Sequence, residues 1–153
     1  MHEFFMQQAI NEAKKAYELN EVPIGAIVCR DGKIIGTGYN RSINDCDPSG
    51  HAEIIAIRDA GETIGNYRLV NCNLYVTLEP CLMCLGAIFH ARIKNLYFGA
   101  KDNKTGACGG NINLLENKNF NHHCKVHAGL LELEAGKILK DFFSGKRKKT
   151  ANE

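Results

Sequence analysis

Long apolar runs are missing from this sequence. No stretch approaches the roughly 20 consecutive apolar residues that a membrane-spanning helix needs, so a helical membrane protein is excluded. The opening residues, Met1-His2-Glu3-Phe4-Phe5, lack the basic start and continuous apolar core of a secretory signal, and the expected setting is the cytoplasm. Internal repeats, low-complexity tracts and long linkers are absent too, which excludes a solenoid or a string of domains. At 153 residues the chain has the usual size of one domain, residues 1–153, and can bury a core without disulfides.

Cysteine, by contrast, is plentiful. There are seven, an odd number that argues against a secreted disulfide framework. Only Cys81 and Cys84 have metal-like spacing. Cys29, Cys46, Cys72, Cys108 and Cys124 are scattered and read as free thiols acting as small buried hydrophobes. The net charge of +2 hides an asymmetry. From 137 to 149 six basic residues face one acid, Asp141, so this window carries +5 and the remainder −3. A basic helix end at about 137–149 suits an anionic partner, although a solvated tail is the commoner origin of such runs.

Apolar residues at helical spacing predict a helix over 3–19. Residues 24–30 and Lys33–Tyr39 are β-rich runs joined by Asp31-Gly32, a hairpin signal. A helix follows over 51–60, with Ile54, Ile55 and Ile57 available for burial, then a buried strand over 73–77. The next helix covers 81–91, with Pro80 suited to its first turn, and strands are expected at 95–98 and Lys125–Ala128. A Gly-rich loop spans 99–110. The last helix, over 130–143, carries Leu131, Leu133, Ile138, Leu139 and Phe142 as its apolar set. Strands interleaved with helices after an opening hairpin predict an α/β fold, a mixed sheet covered by helices.

In Pro80-Cys81-Leu82-Met83-Cys84 the two sulfurs are three residues apart at a helix start, on one face and within reach of one ion. The helix N-terminus favours thiolate, the form that ligates. Alone, Cys-x-x-Cys fits zinc, redox chemistry or chance. His51 precedes a second helix, so two helix starts can converge on one metal. Two thiolates and one imidazole leave a fourth tetrahedral position for water, as in a catalytic zinc site. A closed Cys-only site would have to recruit one of the scattered cysteines. Glu53, two residues past His51, points another way along its helix and suits proton transfer to and from zinc-bound water. By itself, an acidic residue in a helix's first turn needs no such role.

His51-Ala52-Glu53 with Pro80-Cys81-Leu82-Met83-Cys84 resembles the H-x-E…P-C-x-x-C signature of the zinc-dependent cytidine/deoxycytidylate deaminase superfamily. Within it the chain is similar to the bacterial tRNA-specific adenosine deaminases. That likeness runs from Val22-Pro23-Ile24-Gly25-Ala26 through Gly38-Tyr39-Asn40-Arg41, Phe98-Gly99-Ala100-Lys101-Asp102 and Lys104-Thr105-Gly106-Ala107. It continues to Asn121-His122 and Asp141-Phe142-Phe143. Tyr39 stands where the family often has Trp, and Cys108 and Gly110 where it often has other small residues.

The resemblance implies a cytidine-deaminase-like, five-stranded mixed sheet flanked by helices on both faces. It also implies a homodimer and one Zn2+ per subunit on His51, Cys81 and Cys84, with Glu53 as general acid/base. The implied reaction turns adenosine into inosine at the wobble position of a tRNA anticodon loop. Asn40 is implied to bond the flipped adenosine, Ala52 to share in substrate binding, and Asp102 and Lys104 to lie in the loop approaching the nucleotide.

From the residues alone, blander readings stand beside these. Asn40 also fits a turn at a strand end, and Asp102 and Lys104 a solvated loop. Of Phe142 and Phe143, a helix that buries one points the other elsewhere, towards RNA. Arg147, with its neighbouring lysines, suits phosphates or a solvated tail. Two further functions share the motif: a small-molecule deaminase acting on guanine or cytosine, and a zinc-stabilised interaction module without catalysis.

Overall fold

The structure, a computed structural model, describes residues 1–117, 119, 120, 122 and 124–151, with side chains as far as residue 149. Asn121, part of the family likeness, and His123 lie outside the described residues. In chain order the elements are α1 (His2–Glu18), β1 (Gly25–Arg30), β2 (Lys33–Tyr39), α2 (Ala52–Ile64) and β3 (Asn73–Leu78). There follow α3 (Leu82–His90), β4 (Asn95–Ala100), a 3-10 turn at Leu114–Glu116, β5 (Lys125–Ala128) and α4 (Glu132–Ala151).

The strands form one five-stranded sheet in the order β2-β1-β3-β4-β5. β1 is antiparallel to both neighbours, while β3, β4 and β5 run parallel. Helices α2 and α3 cover one face, and α1 with α4 the other. The α/β expectation and the mixed sheet therefore hold. The hairpin closes as its sequence demands: Asp31 (φ 52°) and Gly32 (φ 76°) are both left-handed, which matches the right-handed strand twist. Alternation along β1 sends Ala26 and Val28 to the α2–α3 side and Ile27 and Cys29 to the α1 side. The parallel β3–α3–β4 unit sets the C-terminal ends of two strands side by side, the usual place for a site in such sheets.

Four expectations need correction. Helix α2 continues to Ile64 and buries Ala52, Ala56 and Ala60, while Ile54, Ile55 and Ile57 are only half-buried. The reason is distance: α2 lies directly on Gly36 and Gly38 of β2, where an added Cβ would overlap the carbonyl oxygens of Ala56 and Ala52. Larger side chains do not fit such an approach. Pro80 stands before the N-cap residue Cys81 and so outside the first turn of α3; its carbonyl accepts from Ala107 N at 2.9 Å. Helix α4 begins at Glu132 and turns Ala135 and Phe142 inward, leaving Leu133 85% exposed. Leu133 is two positions, about 200° of helix rotation, from Ala135. Cys46 is exposed in a loop at φ 49°, unlike the buried Cys29 and Cys72.

The loop after β2 is held by a carboxylate that the sequence did not single out. Glu21, 2% exposed, accepts from Ile43 N (3.2 Å), Asn44 N (2.7 Å) and Asn44 Nδ2 (2.6 Å). Burial pushes its pKa up, but the bonds from Asn44 and Ile43 outweigh burial and hold it below the ordinary value.

Two outcomes follow from this packing. Gly38→Ala should destabilise the fold by about 1–3 kcal/mol through overpacking against α2, read as a lower urea midpoint at unchanged slope. Glu21→Gln should cost about 1.5–3 kcal/mol at neutral pH. A depressed carboxylate contributes stability above its unfolded pKa and loses it as pH falls through the folded one. The gap between Glu21→Gln and parent in urea titrations should therefore close on acidification below about pH 4.

Candidate active site

Two helix starts meet at the C-terminal end of β3. His51 is the N-cap of α2 and Cys81 the N-cap of α3, both in extended conformation, and Cys84 lies one turn into α3. Neither N-cap side chain caps its own helix, so the donor atoms stay available. His51 Nδ1 lies 3.4 Å from Cys84 Sγ and 3.6 Å from Cys81 Sγ, and all three donor atoms fall within 4.8 Å of one another. Zinc bonds of about 2.3 Å to sulfur and 2.0 Å to nitrogen at a tetrahedral angle call for donors about 3.5 Å apart. Both nitrogen–sulfur separations match that spacing, and the trio could hold a metal ion. Among the described residues no fourth His, Cys, Asp or Glu joins the group.

The two thiols divide one negative charge. Hydrogen bonding from Cys84, aided by His51, brings Cys81 down to about 4, while the same bond and burial push Cys84 up. His51 is raised, chiefly by its bond to Cys81. Both helix starts add positive potential where thiolate is needed.

Glu53 is 4% exposed on the first turn of α2 and lines the same cavity as His51 and Cys81. Burial pushes its carboxyl up to about 7, against the pull of its own main-chain bond and the His51 charge. Such a group exchanges protons readily near neutrality. Because His51 does not cap α2, the helix takes its cap from elsewhere: Asn40 Oδ1 accepts from Ala52 N at 2.8 Å. That bond fixes the Asn40 amide, with the other end of the group, Nδ2, as a donor.

The cavity, about 530 Å³, contains Asn40, His51, Glu53 and Cys81 in its lining, together with Asp102, Lys104 and Phe143. Four candidates lie off this wall, among them Cys84, which is fully buried. Ala52 is fully buried behind it, with its N–H occupied by Asn40. Phe142 is buried against Tyr17, ring centroids 5.6 Å apart, while Phe143 is 42% exposed and reaches the cavity. Arg147 is exposed one helical turn beyond Phe143. Asp102 also shapes its own loop, its Oδ1 accepting from Lys104 N and Thr105 N and its Oδ2 from the Thr105 hydroxyl.

Sequence reasoning missed the apolar walls Val22, Ile24, Leu78 and Leu139, and the buried acid Glu79. Leu139 precedes Phe143 by four positions and shares its helix face, a spacing that could have found it. Val22, Ile24 and Leu78 carry no local signal. His90 is exposed at the end of α3, and His122 Nε2 binds the Ile93 carbonyl at 2.8 Å, tying the chain before β5 to the sheet.

A family model, the MafB19-like deaminases, matches residues 1–147. The tRNA-specific adenosine deaminase of Haemophilus influenzae is 49% identical over 146 residues, covering 95% of this chain and 84% of its own. A solved tRNA:A34 deaminase, described for A-to-I editing at the wobble position of transfer RNA, superposes with a TM-score of 0.86 at 45% identity. That match covers 89% of this chain and 99% of the other. A guanine deaminase from Bacillus subtilis gives a TM-score of 0.63 at 41% identity, over 66% of this chain and 65% of that one. A histidine and two cysteines at metal-ligand spacing, a buried glutamate beside them and these likenesses agree: the chain belongs to the MafB19-like deaminase family, among the tRNA-specific adenosine deaminases.

Proposed function

We propose that this chain is a zinc-dependent enzyme that hydrolyses adenosine to inosine at the wobble position of a tRNA anticodon. One observation carries the reading: a buried Glu53 lines one cavity with His51 and Cys81, and the buried Cys84 completes their group of three metal donors. In the proposal His51, Cys81 and Cys84 hold one Zn2+ per subunit. When bound, zinc supplies the Lewis acidity that brings the pKa of water towards neutrality.

The chain's own residues do the rest. Glu53 takes a proton from the attacking water and delivers one to the adenine ring nitrogen. With hydroxide added at C6, it takes the proton of that new hydroxyl and passes it to the departing amine, so that C6 becomes a carbonyl and ammonia leaves. Asn40, its oxygen held by Ala52 N–H, turns its amide hydrogens to the nucleotide. Val22, Ile24, Leu78 and Leu139 offer apolar surface to the purine. An anticodon loop suits such a cavity, because its bases leave the stack at low cost. Leu139, Phe143 and Arg147 follow one another at four-residue steps along α4, a line leading from the cavity to the basic helix end. Phe143 is assigned a stacking contact with a neighbouring base, and Arg147 a phosphate contact. Asp102 and Lys104 complete the approach from the opposite loop.

Free guanine is the second reading, favoured by the likeness to a guanine deaminase. It leaves the basic end of α4 without a task. We further infer that residues 1–153 form one catalytic domain, that the enzyme works in the cytoplasm, where tRNA is, and that it acts as a homodimer. Leu82 (62%) and Tyr67 (69%) are apolar side chains left exposed around α2 and α3, where a second copy would cover them. Among the described residues no helix is long and apolar enough to cross a membrane.

Glu53→Ala should keep one zinc per chain and lower inosine formation on an anticodon stem-loop by about 10²–10⁴-fold. His51→Ala and Cys81→Ala should lose the metal. Metal analysis beside inosine quantification separates the two effects, and a parent that yields no inosine would refute the tRNA reading. Raising salt from about 50 to 200 mM should depress kcat/KM on tRNA by more than about tenfold. Ammonia release from free guanine or cytidine should be small throughout. Sedimentation equilibrium should give twice the chain mass.

A further inference from the structure

Glu79 belongs neither to the metal trio nor to the proton-transfer machinery, yet it is 3% exposed and lines the cavity. Its carboxylate accepts three main-chain bonds from a single loop. Oε1 takes Asp102 N at 3.1 Å, and Oε2 takes Cys108 N at 2.9 Å and Gly110 N at 2.8 Å. The backbone beside it is tied to the same loop. Glu79 N donates to Ala100 O at 2.8 Å, Ala107 N donates to Pro80 O at 2.9 Å, and Cys81 pairs with Gly106 in an isolated antiparallel bridge. A Cβ on Gly106 would overlap the Glu79 carboxylate, so this close approach requires glycine.

We propose that Glu79 is a positioning residue that fixes the loop wall, Asp102 to Thr105, against the Cys81 side of the trio, and thereby sets affinity for the nucleotide. The argument is one of donors and acceptors. All three partners are N–H groups, so the side chain must be acceptor-only. A glutamine would aim its own N–H2 at one of them, donor against donor, and a buried group left without its bond is costly. Two residues on, the chain supplies Cys81. A single carboxylate therefore couples the segment bearing that cysteine to the segment that touches the substrate. Glu79 does not contact the reacting atoms in this scheme, so its loss should act on binding more than on the chemical step. The kinetic consequence rests on the tRNA deaminase reading, whereas the structural one does not.

The test uses full-length parent, Glu79→Gln, Glu79→Asp and Gly106→Ala. Amide hydrogen exchange should quicken by about tenfold or more at Asp102, Cys108 and Gly110 in Glu79→Gln, with one zinc per chain retained and β1–β4 unchanged. On an anticodon stem-loop, KM should rise by about tenfold with kcat within about threefold, and Glu79→Asp, which keeps an acceptor-only group, should recover part of the loss. Gly106→Ala keeps Glu79 but crowds it from the loop side and should repeat the KM shift. It decides the matter if Glu79→Gln does not fold. Unchanged exchange at the three amides, an unchanged KM, or zinc lost in step with activity would each overturn the proposal. A parent inactive on the stem-loop would instead refute the tRNA reading, and the exchange result would still decide whether Glu79 holds the loop.

Discussion

The convergence of two helix N-termini on one point governs this molecule. His51 and Cys81 occupy the positions where a helix ordinarily places a capping side chain, and neither caps. A side-chain cap is worth about 1 kcal/mol, whereas zinc ligation in structural sites contributes roughly 10–16 kcal/mol. On that scale, two caps left unmade, with two donors kept available to a metal, are a small sacrifice. For α2 even that loss is recovered, because Asn40, from the end of β2, accepts the Ala52 N–H. The same bond draws a cavity-lining amide into the frame of the candidate metal site.

That convergence needs the helices close to the sheet. Gly36 and Gly38 let α2 lie on β2, and its alanine face takes up the contact. The β3–α3–β4 unit then sets Cys81 at the end of β3, beside the loop that leaves β4. Neither glycine touches the cavity, yet both set where His51 stands. Packing on the far side of the sheet is independent of this, with Ile27, Cys29 and Tyr75 meeting Phe5, Met6 and Ile10 of α1.

Buried carboxylates illustrate how surroundings divide labour among identical side chains. Glu21, with three N–H donors, remains a charged brace for the loop after β2. Glu79, also with three, braces the loop after β4. Glu53 is equally buried but is not supplied with such a set of donors, and burial drives its carboxyl up to about 7. Acceptor capacity satisfied by fixed N–H groups gives structure; capacity left open beside a cavity gives a group able to move protons.

The sequence by itself determined whatever rests on short spacing. Cys81 and Cys84 share a helix turn, Asp31-Gly32 turns a hairpin, and Glu53 follows His51 at a helix start, all through geometry that spans a few residues. It also bounded the choice at α4, since neighbouring Phe142 and Phe143 cannot both face inward. Tertiary structure alone decided which of them reaches the cavity, because that depends on the phase at which α4 meets Tyr17 and the sheet. It alone decided that α2 buries alanines in place of isoleucines, since the depth of contact is set by glycines on another element. The roles of Glu21 and Glu79 were hidden for the same reason: a carboxylate's function here is fixed by which N–H groups surround it, and those come from residues more than twenty positions away.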